Sequence, residues 1–133
     1  MKSIKFLVLF VFALTITISS CKKDESTKSS KEILTSKSWK VSSSKIDGVA
    51  GVIEDCQKDD ILTFAASGTY TYNVGAITCN ADETTYNGTW SLSANSKTLT
   101  VDGETASVVI TENQIKVTLT IDTSIMEMTY IPV

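Results

Sequence analysis

The 133-residue chain holds no arginine and no histidine, and its single proline, Pro132, stands one residue from the end. Without guanidinium groups it has no bidentate clamp for phosphate or carboxylate, and without imidazole it lacks the usual side-chain base at neutral pH. A nucleophilic serine would have to rely on a lysine or carboxylate, and no nucleophile elbow frames one. Asp59 and Asp60 are adjacent, so in a strand they would point to opposite faces and could not work as a pair of glycosidase carboxylates. The chain is therefore expected not to be an enzyme. Glu54, Asp55, Asp59 and Asp60 could meet Asp82 and Glu83 in a negative rim, but their spacing matches no calcium loop, and solvated loop charge is the default. No metal and no cofactor are expected.

Long apolar runs are also missing. The longest, "FLVLFVFALTITI", is thirteen residues behind Lys2 and Lys5, which suits a secretory signal and falls short of the roughly 20 residues that span a bilayer. It ends at Ile18-Ser19-Ser20-Cys21, which resembles the bacterial lipobox, in which the cysteine is lipidated and becomes the first mature residue. The resemblance implies a signal peptide over residues 1–20 and an acyl anchor on Cys21. Several acyl chains hold a protein durably where a single one holds it marginally, at about 0.8 kcal/mol per buried methylene. Removing residues 1–20 leaves 10 lysines against 15 acids, a net charge of −5, so a nucleic-acid partner is not expected. With Cys21 lipidated, Cys56 and Cys79 remain, and an oxidising compartment favours their pairing.

Residues 21–31, the lipidated cysteine and "KKDESTKSSK", form a tether with nothing to bury. About 100 residues follow, enough for one domain, 32–133. A short helix is expected at "SKEILTSK", capped by Ser30, with Ile33 and Leu34 turned to the domain. Beyond it the apolar residues recur with period two.

That alternation can be tested against turn geometry. From Tyr86 onward the strands are separated by "NS", "DG", "EN" and "DT". Counting outward from each as a two-residue turn pairs Leu92 with Leu99, Leu99 with Ala106, Val108 with Val117, and Val117 with Met128. Since a slip of one residue would flip a strand, the agreement at all four turns puts five strands on one apolar face. Around Ser67-Gly68 a two-residue turn fails. A three-residue loop with Gly68 left-handed pairs Phe64 with Tyr70 and Leu62 with Tyr72. Continued outward, this register brings Cys56 opposite Thr78, next to Cys79, and an irregularity near Gly75 would let the sulfurs meet. With "SWKVSSSKI" the strands number eight: 38–46, 60–66, 69–74, 85–93, 96–101, 104–111, 114–121 and 124–132. An eight-stranded antiparallel up-and-down barrel buries the shared face and removes both edges, whereas an open or two-layer sandwich leaves edges exposed.

The stretches "ILTSKSWKV", "CQKDDILTFAASGTYTY" and "YNGTWSLSANSKTLTV" resemble the small lipocalin-like lipoproteins of Bacteroidetes-type bacteria, over residues 32–133. The resemblance implies an all-β, lipocalin-like barrel tethered to an envelope membrane, often with the loop cysteines joined, and a binding role. It also places the chain as an outer membrane lipoprotein, with "KKDE" approximating a surface-export signal and the leaflet left open. True lipocalins carry a glycine two residues before the first-strand tryptophan, where this chain has Lys37 ahead of Trp39. Trp39, Phe64, Tyr70, Tyr72, Trp90, Met126, Met128 and Tyr130 are expected inside, either as a packed core or as the wall of an adaptable apolar pocket. The connection 47–60 is placed as a lid at the barrel mouth. Two readings follow for a chain expected to be monomeric: a binder of a small apolar ligand, or a solid-barrel interaction module contacting an envelope protein or glycan through its loops.

Overall fold

The computed structural model describes residues 27–133, so the signal segment, Cys21 and much of the tether lie outside the described residues. The first element is helix α1, Ser30–Thr35. Its cap is Ser29, one residue before the expected Ser30. The reason is local: Ser29 stands three residues ahead of Glu32, so each side chain accepts from the other's backbone N–H in a capping box. Ser30 has Ile33 at that spacing and could not close one.

The strands are β1 (Ser38–Ile46), β2 (Val49–Ala50), β3 (Ile61–Phe64), β4 (Thr69–Asn73), β5 (Tyr86–Leu92), β6 (Thr98–Val101), β7 (Glu104–Thr111), β8 (Gln114–Ile121) and β9 (Ser124–Pro132), with a one-turn helix α2, Asp55–Lys58, between β2 and β3. From β3 to β9 each strand pairs antiparallel with the next, and β1 pairs with both β3 and β9. The result is a closed antiparallel barrel of eight strands, with α1 on its N-terminal side and β2 hanging from β1 as a ninth, short strand. Neither β2 nor α2 was legible in a connection that reads as one irregular loop.

The counted registers hold. Leu92 partners Leu99, Leu99 partners Ala106, Val108 partners Val117, and Val117 partners Met128. Phe64 partners Tyr70 and Leu62 partners Tyr72, around a loop with Gly68 at φ +91°. One turn differs in detail. At 93–98 the reversal starts a residue earlier than a two-residue Asn95-Ser96 turn, because the Ser96 N–H bonds the Ser93 carbonyl and the Ser93 hydroxyl accepts from the N–H groups of Lys97 and Thr98. The strand register survives since Ser93 and Thr98 still face each other.

Strand β1 carries an irregularity that its sequence hints at. Trp39 and Val41 share one parity, whereas Ile46 is out of phase with them. A bulge between Val41 and Ser43 leaves Ser42 as the extra residue, and beyond it Ser44 and Ile46 oppose Met128 and Met126. The inserted residue restores phase along the β1–β9 pairing.

One end of the barrel is sealed by α1. Ile33 and Leu34 join the buried cluster with Trp39, Phe64, Trp90 and Ile115. The Trp39 indole N–H donates to the Leu34 carbonyl at 3.0 Å, fastening the helix to the first strand. Lys37 bridges to Glu112 in the β7–β8 turn at 2.8 Å, so the position that is glycine in true lipocalins here ties α1's exit to that turn. Trp39 is fully buried, and Trp39→Ala is expected to destabilise the domain by about 3–5 kcal/mol. A shift in the urea midpoint corresponding to less than about 1 kcal/mol would contradict its place at the seal.

Candidate binding cavity

One strand residue in every two points inward, and at eight strands these side chains either fill the barrel or leave room for one small ligand. Here they leave room. A cavity of about 240 Å³ runs from Phe64, Leu99 and Ile115, all buried, to Tyr86 and Glu104, both exposed, at the end opposite α1. Its wall is mostly aliphatic and aromatic, with Val117 and Met128 side by side as the register requires.

Of the residues expected inside, Phe64, Tyr70, Tyr72, Met128 and Tyr130 line this cavity. Trp39 instead borders a smaller void of about 40 Å³ shared with Tyr72, Met128 and Tyr130. Trp90 packs edge-on against Phe64 at 5.3 Å, its indole N–H held by the Ala65 carbonyl, and Lys31 lies 6.0 Å from its ring. It therefore supports the wall from behind. Met126, beside Leu119 and Ile46, is half-buried and outside the cavity lining.

Of the lining residues, Tyr86 and Glu104 were not placed on the apolar face, though parity could have found both. Tyr86 shares its phase with Trp90 and Leu92, and Glu104 with Ala106 and Val108. Tyr86 stacks on Tyr72 across the strands, ring centroids 5.2 Å apart, and meets Tyr70 edge-on at 6.2 Å. All four tyrosines of the chain thus converge on one cavity.

Their hydroxyls are organised by carboxylates. Tyr72 donates to Asp60, which is buried and also accepts from the Gly75 N–H at 2.9 Å. Tyr70 donates to Asp102, whose other oxygen accepts from the Thr89 N–H at 2.8 Å. Asp102 sits at φ 49° in a two-residue turn with Gly103, and its carboxylate reaches Tyr70 across Gly88. A Cβ at Gly88 would fall 2.4 Å from both groups, so only glycine permits this close approach. Tyr130 has only the Met128 thioether, 3.6 Å away.

The loops at the mouth are pinned. Cys56 on α2 and Cys79 stand with Cα atoms 5.1 Å apart and sulfurs at bonding distance. They meet by a route other than an extended register, since β3–β4 pairing ends at Ile61–Asn73 and Cys56 is helical. Closing a loop of about two dozen residues contributes on the order of 3 kcal/mol. The rim acids are taken up by loop contacts: Asp59 accepts from the Ile77 N–H of the facing loop, while Glu83 accepts from the Cys79 N–H and Asp55 pairs with Lys58 within their own segments. Among the described residues no three of these groups gather where a metal ion could sit.

Burial, and then the neighbouring carboxylates, raise the pKa of Tyr70 and Tyr72 above the ordinary phenol range, and burial raises that of Tyr130. A phenol held protonated in the fold adds stability that is whole below the unfolded value of about 10 and fades above it, as the unfolded chain loses protons that the folded chain keeps. The phenolate absorbance of the folded protein should therefore rise at higher pH than that of the chain in denaturant, with stability declining over the same interval. Superimposed titration curves would contradict the arrangement.

A family model described as a lipocalin-like domain matches residues 35–130. Among curated proteins none matches the chain.

Proposed function

The chain belongs to the lipocalin-like domain family, and from that premise we propose that it binds one small, largely apolar molecule inside the barrel, as a carrier or store and not as a catalyst. The observation that carries this reading is the cavity of about 240 Å³, closed by α1 at one end and walled by apolar side chains. Such a space gives an apolar ligand the burial that drives its binding, at roughly 25 cal/mol per Å² removed from water. Cys21 would carry the acyl anchor, holding the barrel at the bacterial envelope as an outer membrane lipoprotein, with residues 22–31 as the spacer.

A second reading draws on the mouth itself. Ile46, Val49, Val52, Ile77, Ile121 and Ile125 are all exposed, on loops and strand ends away from α1. A rim of that character also suits contact with another envelope protein, the barrel then serving as a rigid mount.

Binding separates the two. Organic extraction of the purified protein followed by mass spectrometry should release a small apolar compound, and naphthalene should titrate the emptied protein to saturation. Ala106→Phe places a ring in the cavity and should weaken naphthalene binding at least tenfold while leaving the circular dichroism spectrum unchanged. Equal binding by the variant, or none by either protein, would turn the assignment to the interaction module. For the anchor, Cys21→Ser expressed in a bacterial host should abolish incorporation of labelled fatty acid and move the protein out of the membrane fraction. Labelling that survives the substitution would place the lipid elsewhere.

A further inference from the structure

The polar atoms around the cavity are unequal in kind, and their inventory bears on what the ligand must be. Tyr70 and Tyr72 have committed their protons to Asp102 and Asp60, so each can offer a ligand only the lone pairs of its oxygen. The raised pKa values of both phenols keep those protons in place. Glu104 lines the cavity at its exposed end and takes part in none of the ion pairs or side-chain hydrogen bonds found among the described residues. No lysine lines the cavity, and the chain has neither arginine nor histidine to supply another cation. Tyr130, with only the Met128 thioether beside it, and Tyr86, whose hydroxyl takes part in none of the side-chain hydrogen bonds found among the described residues, keep protons that a ligand could compete for.

A wall with this character rejects an anion. A fatty-acid carboxylate entering the cavity would meet acceptors at the Tyr70 and Tyr72 oxygens and like charge at Glu104, with only the neutral hydroxyls of Tyr86 and Tyr130 and no counter-ion to offset its desolvation. A protonated amine meets the reverse: acceptors for its N–H donors, a free carboxylate at the mouth, and aromatic faces that attract a cation. The chain's net charge of −3 attracts cations at longer range. Size narrows the class further. A cavity of roughly 150 Å³ holds benzene, so about 240 Å³ takes one ring with a short arm and is too small to enclose a long acyl chain.

Resting on the reading that the cavity binds a ligand at all, we propose that the barrel selects a one-ring organic amine, with its ring among the aliphatic and tyrosine side chains and its protonated nitrogen at the mouth against Glu104. The amine is recognised by charge and by donors, the ring by shape.

Three probes that share a ring and arm test this: 3-phenylpropan-1-amine, 3-phenylpropan-1-ol and 3-phenylpropanoate, each titrated calorimetrically into the purified protein at low and moderate salt. The amine is expected to bind roughly fivefold or more tighter than the alcohol, and the carboxylate more weakly than the alcohol. Glu104→Gln, at an exposed position, should bring the amine-to-alcohol ratio to within about twofold, and added salt should shrink the same ratio. Ala106→Phe should weaken all three. Alcohol or carboxylate binding as tightly as the amine would overturn charge selection and leave the cavity reading standing. An amine preference untouched by Glu104→Gln would overturn the role given to that residue. Failure of all three probes would remove both this proposal and the binding reading beneath it.

Discussion

Closure of β1 onto β9 is the constraint on which the rest depends. A sheet with one apolar face has to bury it, and an antiparallel meander of this length can do so by curling until its ends meet, which also removes two unpaired edges. Here the meeting runs along most of β1, from Trp39 opposite Pro132 to Ile46 opposite Met126. The bulge at Ser42 matters because without it the two halves of β1 would present opposite faces to β9. Only a closed ladder gives the molecule an inside, and only an inside gives the tyrosines a shared space.

The other border of β1 is weaker, and the structure compensates for it. β1 pairs with β3 only at Ser38 and Trp39, and its far half pairs instead with the short β2. The opening this leaves is bordered by Gln57 of α2, by Asp60 and by Tyr72. The Cys56–Cys79 link, the Asp60 bonds to Tyr72 and Gly75, and the Asp59 bond to Ile77 all fasten the 51–60 segment to the β4–β5 loop. Covalent and polar ties thus stand where backbone pairing runs out, and the same ties set the tyrosine hydroxyls that face the cavity. Fold and site share these residues, so the mouth cannot loosen without altering the cavity's polar wall.

Much of this was legible before any coordinates. Strict alternation around short turns carries its own check, since a wrong register would expose whole rows of valine and isoleucine, and the pairs from Leu92 to Tyr130 could be counted with confidence on that ground. Period two also holds the information for Tyr86, at the very start of its strand, and for Glu104, whose charge argues for the outer face. The cap at Ser29 follows from the spacing to Glu32. What could not be read is three-dimensional: the carboxylate of Asp102 passing over Gly88 to Tyr70, the helix inside the 47–60 connection, and the withdrawal of Trp90 behind Phe64. Each depends on how far strands coil and where they part, and local pattern is silent on both.

Residue-resolved hydrogen exchange of the β1 amides tests the closure most directly. Amides of Lys40, Lys45 and Asp47, which face β9, should exchange as slowly as those of β8, opening only with the whole barrel. Exchange of β1 at the rate of the exposed 76–82 loop would mean that the first strand is not held by the last, and the enclosed cavity would have no wall on that side.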